Sequence, residues 1–89
     1  MARLAFTQHL RNVIDPRIRD VSGATVLSVL EAAFEEAPGA RSYILDDRGA
    51  VRKHVAIFLN NKREDPKTVL NMPVTEACEI YVMQALSGG

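Results

Sequence analysis

The chain has 89 residues, 47% of them apolar and 25% charged, and its 11 basic and 11 acidic side chains cancel to zero net charge. A chain of this size buries roughly 60–70% of its unfolded surface, enough for one modest core and too little for a deep active-site cleft. The charge balance argues against a nucleic-acid footprint, which needs a basic excess to displace counterions.

No apolar run approaches the length of a membrane span. The opening residues carry no long apolar stretch of the signal-peptide kind. The single cysteine, Cys78, excludes an internal disulfide framework and fits a reducing, cytoplasmic setting.

Residues 3–10 begin with Leu4 and Phe6 at period two and predict a first strand. Asp15-Pro16 then turns the chain, because the residue before proline is biased away from helix. Residues 17–21 predict the returning strand of a hairpin. The clearest element is a helix over 25–37: Val26, Leu30, Ala33, Phe34 and Ala37 share one face, and Glu31, Glu35 and Glu36 lie outside it. Thr25 is its expected amino cap, and Gly39, just past Pro38, its expected stop.

Residues 40–45 predict a short extended or single-turn segment, and Asp46-Asp47-Arg48-Gly49 a turn. Residues 51–59 predict a buried strand, with Val55, Ile57 and Leu59 alternating against Ala56 and Phe58. Asn60-Asn61 reads as a hairpin turn, because Asn tolerates left-handed backbone. Residues 62–65 can pair briefly, and 66–73 read as a polar loop. The last strand, 79–84, sets Ile80 and Val82 against Tyr81 and Met83. Hairpin, helix, strand, irregular crossover and strand is the element order of an α+β, β-grasp (ubiquitin-like) domain over residues 1–84. Residues 85–89 form a separate tail.

That tail, Ala85-Leu86-Ser87-Gly88-Gly89, carries the chemistry. Glycine has no Cβ, so a Gly-Gly end can lie flat in a narrow slot of another protein. The α-carboxylate of Gly89 is ionised at neutral pH, its ordinary pKa being about 3.3–3.7. It can attack the α-phosphate of ATP to give an acyl-adenylate. Five residues at about 3.3–3.6 Å each reach on the order of 17 Å beyond the sheet.

With those pieces in place the chain resembles the bacterial ubiquitin-like sulfur carriers: the molybdopterin synthase small subunit, the thiamine-pathway carrier and their cysteine-pathway relative. The resemblance spans the domain and is carried by the tail, by the strand His54-Val55-Ala56-Ile57-Phe58-Leu59-Asn60, by Phe6-Thr7-Gln8 and by Ser22-Gly23-Ala24-Thr25-Val26. Glu76-Ala77-Cys78 stands where such carriers commonly have an acidic-glycine-acidic turn. Gln84-Ala85 stands where they often have proline.

The resemblance implies that an E1-like adenylating enzyme activates Gly89 with MgATP. A cysteine-desulfurase or rhodanese-type persulfide then replaces AMP, leaving a thiocarboxylate that an acceptor synthase consumes. The carrier itself would bind no cofactor or metal and would hold no catalytic residue. It also implies that the sheet face away from the helix, with Phe58, Tyr81 and Met83, meets the partners; Phe6 fits either face. Two other readings stay open: a modifier joined through Gly89 to lysines of other proteins, and an interaction module that is never activated.

Cys78 is expected to be a plain half-buried thiol, with Glu76 and Glu79 raising its pKa. His9 and His54 have no partner at metal-ligand spacing. The pairs Arg17/Arg19 and Lys62/Arg63 read as solvated charges.

Overall fold

The computed structural model describes residues 2–12 and 14–84. Five strands and two helices follow in the order β1 (Ala2–Phe6), β2 (Arg19–Val21), α1 (Val26–Glu36), α2 (Pro38–Ile44), β3 (Val55–Leu59), β4 (Lys62–Arg63) and β5 (Glu79–Gln84). They build one mixed sheet in the order β2-β1-β5-β3-β4. β5 lies at its centre, parallel to β1 and antiparallel to β3. The tail residues Leu86, Ser87, Gly88 and Gly89, and Ala85 before them, lie outside the described residues.

Helix α1 forms because its apolar stripe and its cap agree. Thr25 Oγ1 accepts the Ser28 N–H at 3.2 Å while Ser28 Oγ accepts the Thr25 N–H at 2.9 Å, a reciprocal capping box. Val26, Val29, Leu30, Ala33 and Phe34 are buried in one core with Leu4, Phe6, Ile57, Ile80 and Val82 of the sheet. The Val26 N–H bonds the Met72 carbonyl and the Val74 N–H the Ala24 carbonyl, so the helix start is tied to the approach to β5.

Five local expectations change. β1 stops at Phe6, and Gln8–Leu10 forms a 3-10 turn that carries the fully buried Leu10 under the core. Gly39 is not the stop of α1: the chain breaks at Ala37, kept out of the helical region at φ −141° and ψ 77° before Pro38, which then opens α2. Residues 40–45 therefore belong mostly to a second helix. β3 begins only at Val55; Val51 bridges Leu45 across the Asp46–Gly49 turn, and the Val55 N–H bonds the Arg52 carbonyl, closing a turn over Lys53 and His54. The polar loop before β5 holds a 3-10 turn, Val69–Asn71, that buries Val69.

The hairpin reading holds: Asn60 and Asn61 have φ of +53° and +69°, as a two-residue turn of that hand requires. The side chain and backbone of Asn60 also bond the backbone of Glu79 at 2.9 and 2.8 Å, locking the turn to the start of β5.

Candidate functional site

The centre of interest is β5, the strand that runs on in sequence to Gly88-Gly89. Its register settles the two faces. Ile80 and Val82 align with Leu4 and Phe6 on one side and with Leu59 and Ile57 on the other. All six are buried, so Phe6 belongs to the helix face.

Tyr81 aligns with Ala5 and Phe58, Phe58 with Arg63, and Met83 with Ala56. The three residues read as a contact patch thus share the face away from the helices. They differ in exposure: Tyr81 is 40% exposed, while Phe58 and Met83 are half-buried.

Ile18, which the sequence reading passed over, joins them. It is 71% exposed and lines, with Ala5, Tyr81 and the rim residues Arg3, Glu79 and Asn61, an open depression of about 180 Å³. The signal was present in the order Arg17-Ile18-Arg19. Arg19 pairs with Leu4 on the helix side of the sheet and reaches Glu36 at 2.6 Å and the Asp15 carbonyl at 2.5 Å. Its neighbour must then face outward. Arg19 is accordingly no simple solvated charge: it answers an acidic residue at the helix carboxyl end, where the macrodipole disfavours one. Arg17 does stay outside, and it holds the Asp15 carboxyl below its usual range through side-chain and backbone hydrogen bonds.

Cys78 departs from expectation. It is buried, and its thiol is lowered from its ordinary value, not raised. The Thr75 N–H at 3.3 Å is the main cause, helped by the Thr75 hydroxyl and the Asn60 amide. The same Thr75 accepts the Cys78 N–H at 3.1 Å. A turn closed in this way has no left-handed residue, which explains how Glu76-Ala77-Cys78 does without glycine. Among the described residues, no group of three or more His, Cys, Asp or Glu gathers to hold a metal, and no helix is long and apolar enough to cross a membrane.

At the far end of β5 the Tyr43 hydroxyl donates to Gln84 Oε1 at 3.2 Å. The His54 ring meets the Tyr43 ring edge-on at a centroid distance of 5.3 Å.

No family model and no curated protein matches the chain. Solved structures do. CysO in the Amycolatopsis orientalis BexX/CysO complex superposes with a TM-score of 0.84 at 16% identity, covering 100% of both chains. The small archaeal modifier protein 1 of Methanosarcina acetivorans gives 0.81 at 19% identity over 99% of this chain and 95% of its own. The fold is the ubiquitin-like β-grasp. Urm1 from Trypanosoma brucei shares it more distantly, with a TM-score of 0.70 at 10% identity over 99% of this chain and 94% of that one. The resemblance to ubiquitin-like sulfur carriers read from the sequence thus has its counterpart in the fold.

Proposed function

We propose that the protein is a sulfur carrier whose working group is the Gly89 carboxylate. The observation that carries the reading is that β5, the central strand of a β-grasp sheet, is followed within five residues by Gly88-Gly89. A β-grasp domain offers a rigid plinth and an outer face, and it leaves the reaction to its partners.

In the proposed cycle a Gly89 carboxylate oxygen attacks the α-phosphate of MgATP held by an E1-like enzyme, and pyrophosphate leaves. A persulfide sulfur of a desulfurase or rhodanese-type donor attacks the acyl carbon, and AMP leaves. A second thiol takes the donor's other sulfur as a disulfide and frees the Gly89 thiocarboxylate. That sulfur then passes to an acceptor synthase. The role of this chain is to present one end at one place; it acts as a cosubstrate, with no general base of its own. Ile18, Tyr81, Phe58 and Met83 supply the face on which the partners dock.

Likeness to a small archaeal modifier protein supports a second reading, in which the same adenylate is captured by a lysine amine of a target protein. High-resolution intact mass of the protein from its native cells, with fragmentation, separates the two. An oxygen-for-sulfur increment localised to Gly89 and removed by alkylation supports the carrier. Resolution has to distinguish it from oxidation of Met1, Met72 or Met83. A Gly89–lysine branch supports the modifier. One residue appended after Gly89 is expected to abolish both products; sulfur transfer that survives it refutes the reading.

A further inference from the structure

Strand β5 is held unevenly. From Ile80 to Val82 it is paired on both sides, with β1 and with β3. β1 ends where Phe6 meets Val82, and the Thr7 N–H closes that ladder on the Val82 carbonyl at 2.9 Å. Met83 and Gln84 then continue on β3 alone, against Ala56 and Val55. A strand end with one ladder partner opens at far lower cost than a strand centre with two. In this protein that weak end is the root of the segment leading to Gly89.

A second attachment exists at that place, and it comes from outside the sheet. By the alternation that buries Ile80 and Val82, the Gln84 side chain points to the helix side, where α2 delivers the Tyr43 hydroxyl to Gln84 Oε1 at 3.2 Å. The support of Tyr43 is itself fixed. Ile44 and Leu45, which follow it, are buried. Arg52 bonds the Ile44 carbonyl through its N–H at 3.0 Å and the Ser42 carbonyl through Nε at 2.7 Å. The His54 ring packs edge-on against the Tyr43 ring at 5.3 Å and 80°. Residues from α2, from the turn before β3 and from the end of β5, 41 positions apart at the hydrogen bond, thus converge on one contact.

We propose that Tyr43 is a positioning residue: its bond to Gln84 fixes the end of β5 and so the direction in which residues 85–89 are handed to the adenylating enzyme. The proposal rests on the carrier reading for its purpose, and on the contact alone for its existence. Without the bond, the enzyme has to select the productive direction from a wider set, which costs apparent affinity and leaves the chemical step alone.

The test is Tyr43→Phe, which keeps the ring against His54 and removes only the donor. Gln84→Ala and the double variant accompany it. In Tyr43→Phe, amide hydrogen exchange at Met83, whose N–H faces β3 at this end, should rise roughly fivefold, the factor one net hydrogen bond carries, while exchange at Ile80 and Val82 stays unchanged. With the adenylating enzyme of the same cells, pyrophosphate exchange should show KM for this protein raised by a similar factor at nearly constant kcat. The double variant should be no worse than either single one, because both remove the same bond.

Unchanged exchange at Met83 overturns the tether. Faster exchange with an unchanged KM, or additive effects in the double variant, overturns the positioning role. Wild-type protein that is never adenylated sinks the carrier reading and the positioning role with it, while the exchange rates still decide the tether.

Discussion

Replacing Gly23 by alanine probes how the main helix is started. A Cβ at that position would stand 2.7 Å from Ser28 Oγ, 2.7 Å from Val29 Cγ2 and 2.9 Å from the Val29 nitrogen. None of the three yields cheaply. Ser28 Oγ is committed to the capping box, accepting the Thr25 N–H and donating to the Thr25 carbonyl, both at 2.9 Å. Val29 is fully buried and β-branched, so its χ1 has one strongly preferred setting in a helix. Its nitrogen bonds the Thr25 carbonyl at 3.1 Å, the first rung of the helix.

Overpacking of this kind costs about 1–3 kcal/mol, and a lost cap about 0.5–2 kcal/mol. The two draw on the same contacts and do not add in full. Alanine recovers about 0.4–1 kcal/mol by restricting the unfolded chain, which leaves a net loss of about 1–2 kcal/mol. For a domain of this size that is a fall in Tm of roughly 4–16 °C.

Urea and thermal unfolding followed by circular dichroism would measure it. Val29→Ala, alone and combined with Gly23→Ala, completes a cycle. Because the second change removes Cγ2 and leaves the backbone nitrogen, a partial rescue of about 0.5–1 kcal/mol is expected. A Tm that stays level or rises in Gly23→Ala would refute the reasoning: residues 22–24 would then be free to move off the helix.

Two further outcomes follow from the surface. Asp46 accepts the Ala50 and Arg48 N–H groups at 3.0 and 2.8 Å, and these two bonds are the main causes that lower its carboxyl from the ordinary value. Its contribution to stability is therefore complete above the unfolded pKa of about 3.9 and is lost as pH falls through the lower folded value. Asp46→Asn should flatten that part of the acid unfolding curve, and a side-chain carbon titration of the folded protein with its midpoint at or above the unfolded value would contradict the assignment. Tyr81→Asp places a charge between Ala5 and Phe58 on the outer face; it should leave Tm within a few degrees yet weaken the adenylating partner by roughly tenfold or more. Equal activation of both proteins would remove this face from the docking surface.

The parts of the fold legible in the sequence are those with strict periods. The stripe from Val26 to Phe34, the alternation of β3 and β5, and Asn60-Asn61 each state their conformation locally. Core packing then agrees with them. What was hidden depends on contacts distant in sequence. Leu10 reads as the end of a strand until the core needs a floor beneath it. Residues 40–45 look too short for a helix until Pro38 starts one and Ala40 and Ile44 bury its face. Cys78 was judged by acidic neighbours in sequence, whereas its hydrogen-bond donors are Thr75 and Asn60, the latter brought in by the β3–β4 hairpin. The tail reading rests on composition alone, and residues 85–89 lie outside the described residues. Tyr43 was not, because nothing local links it to a glutamine 41 residues away.

The sheet order also agrees with the proposal that partners meet the tail and the outer face. Open edges are the usual places where a sheet recruits another chain. Here the edges are β2, three residues long, and β4, two residues long. Arg19 at the start of β2 is drawn inward to Glu36, and β4 consists of the exposed Lys62 and Arg63. Such short, charged edges resist strand addition. The longest described strand, β5, is sealed between β1 and β3 from Ile80 to Val82, so only its last two residues, held by β3 alone, can peel before the best-paired part of the domain is loaded. On the proposed carrier reading, a chain that inserts its end into one enzyme after another gains from that combination: a strand whose doubly paired centre holds, edges that resist strand addition, and an outer face left open to partners.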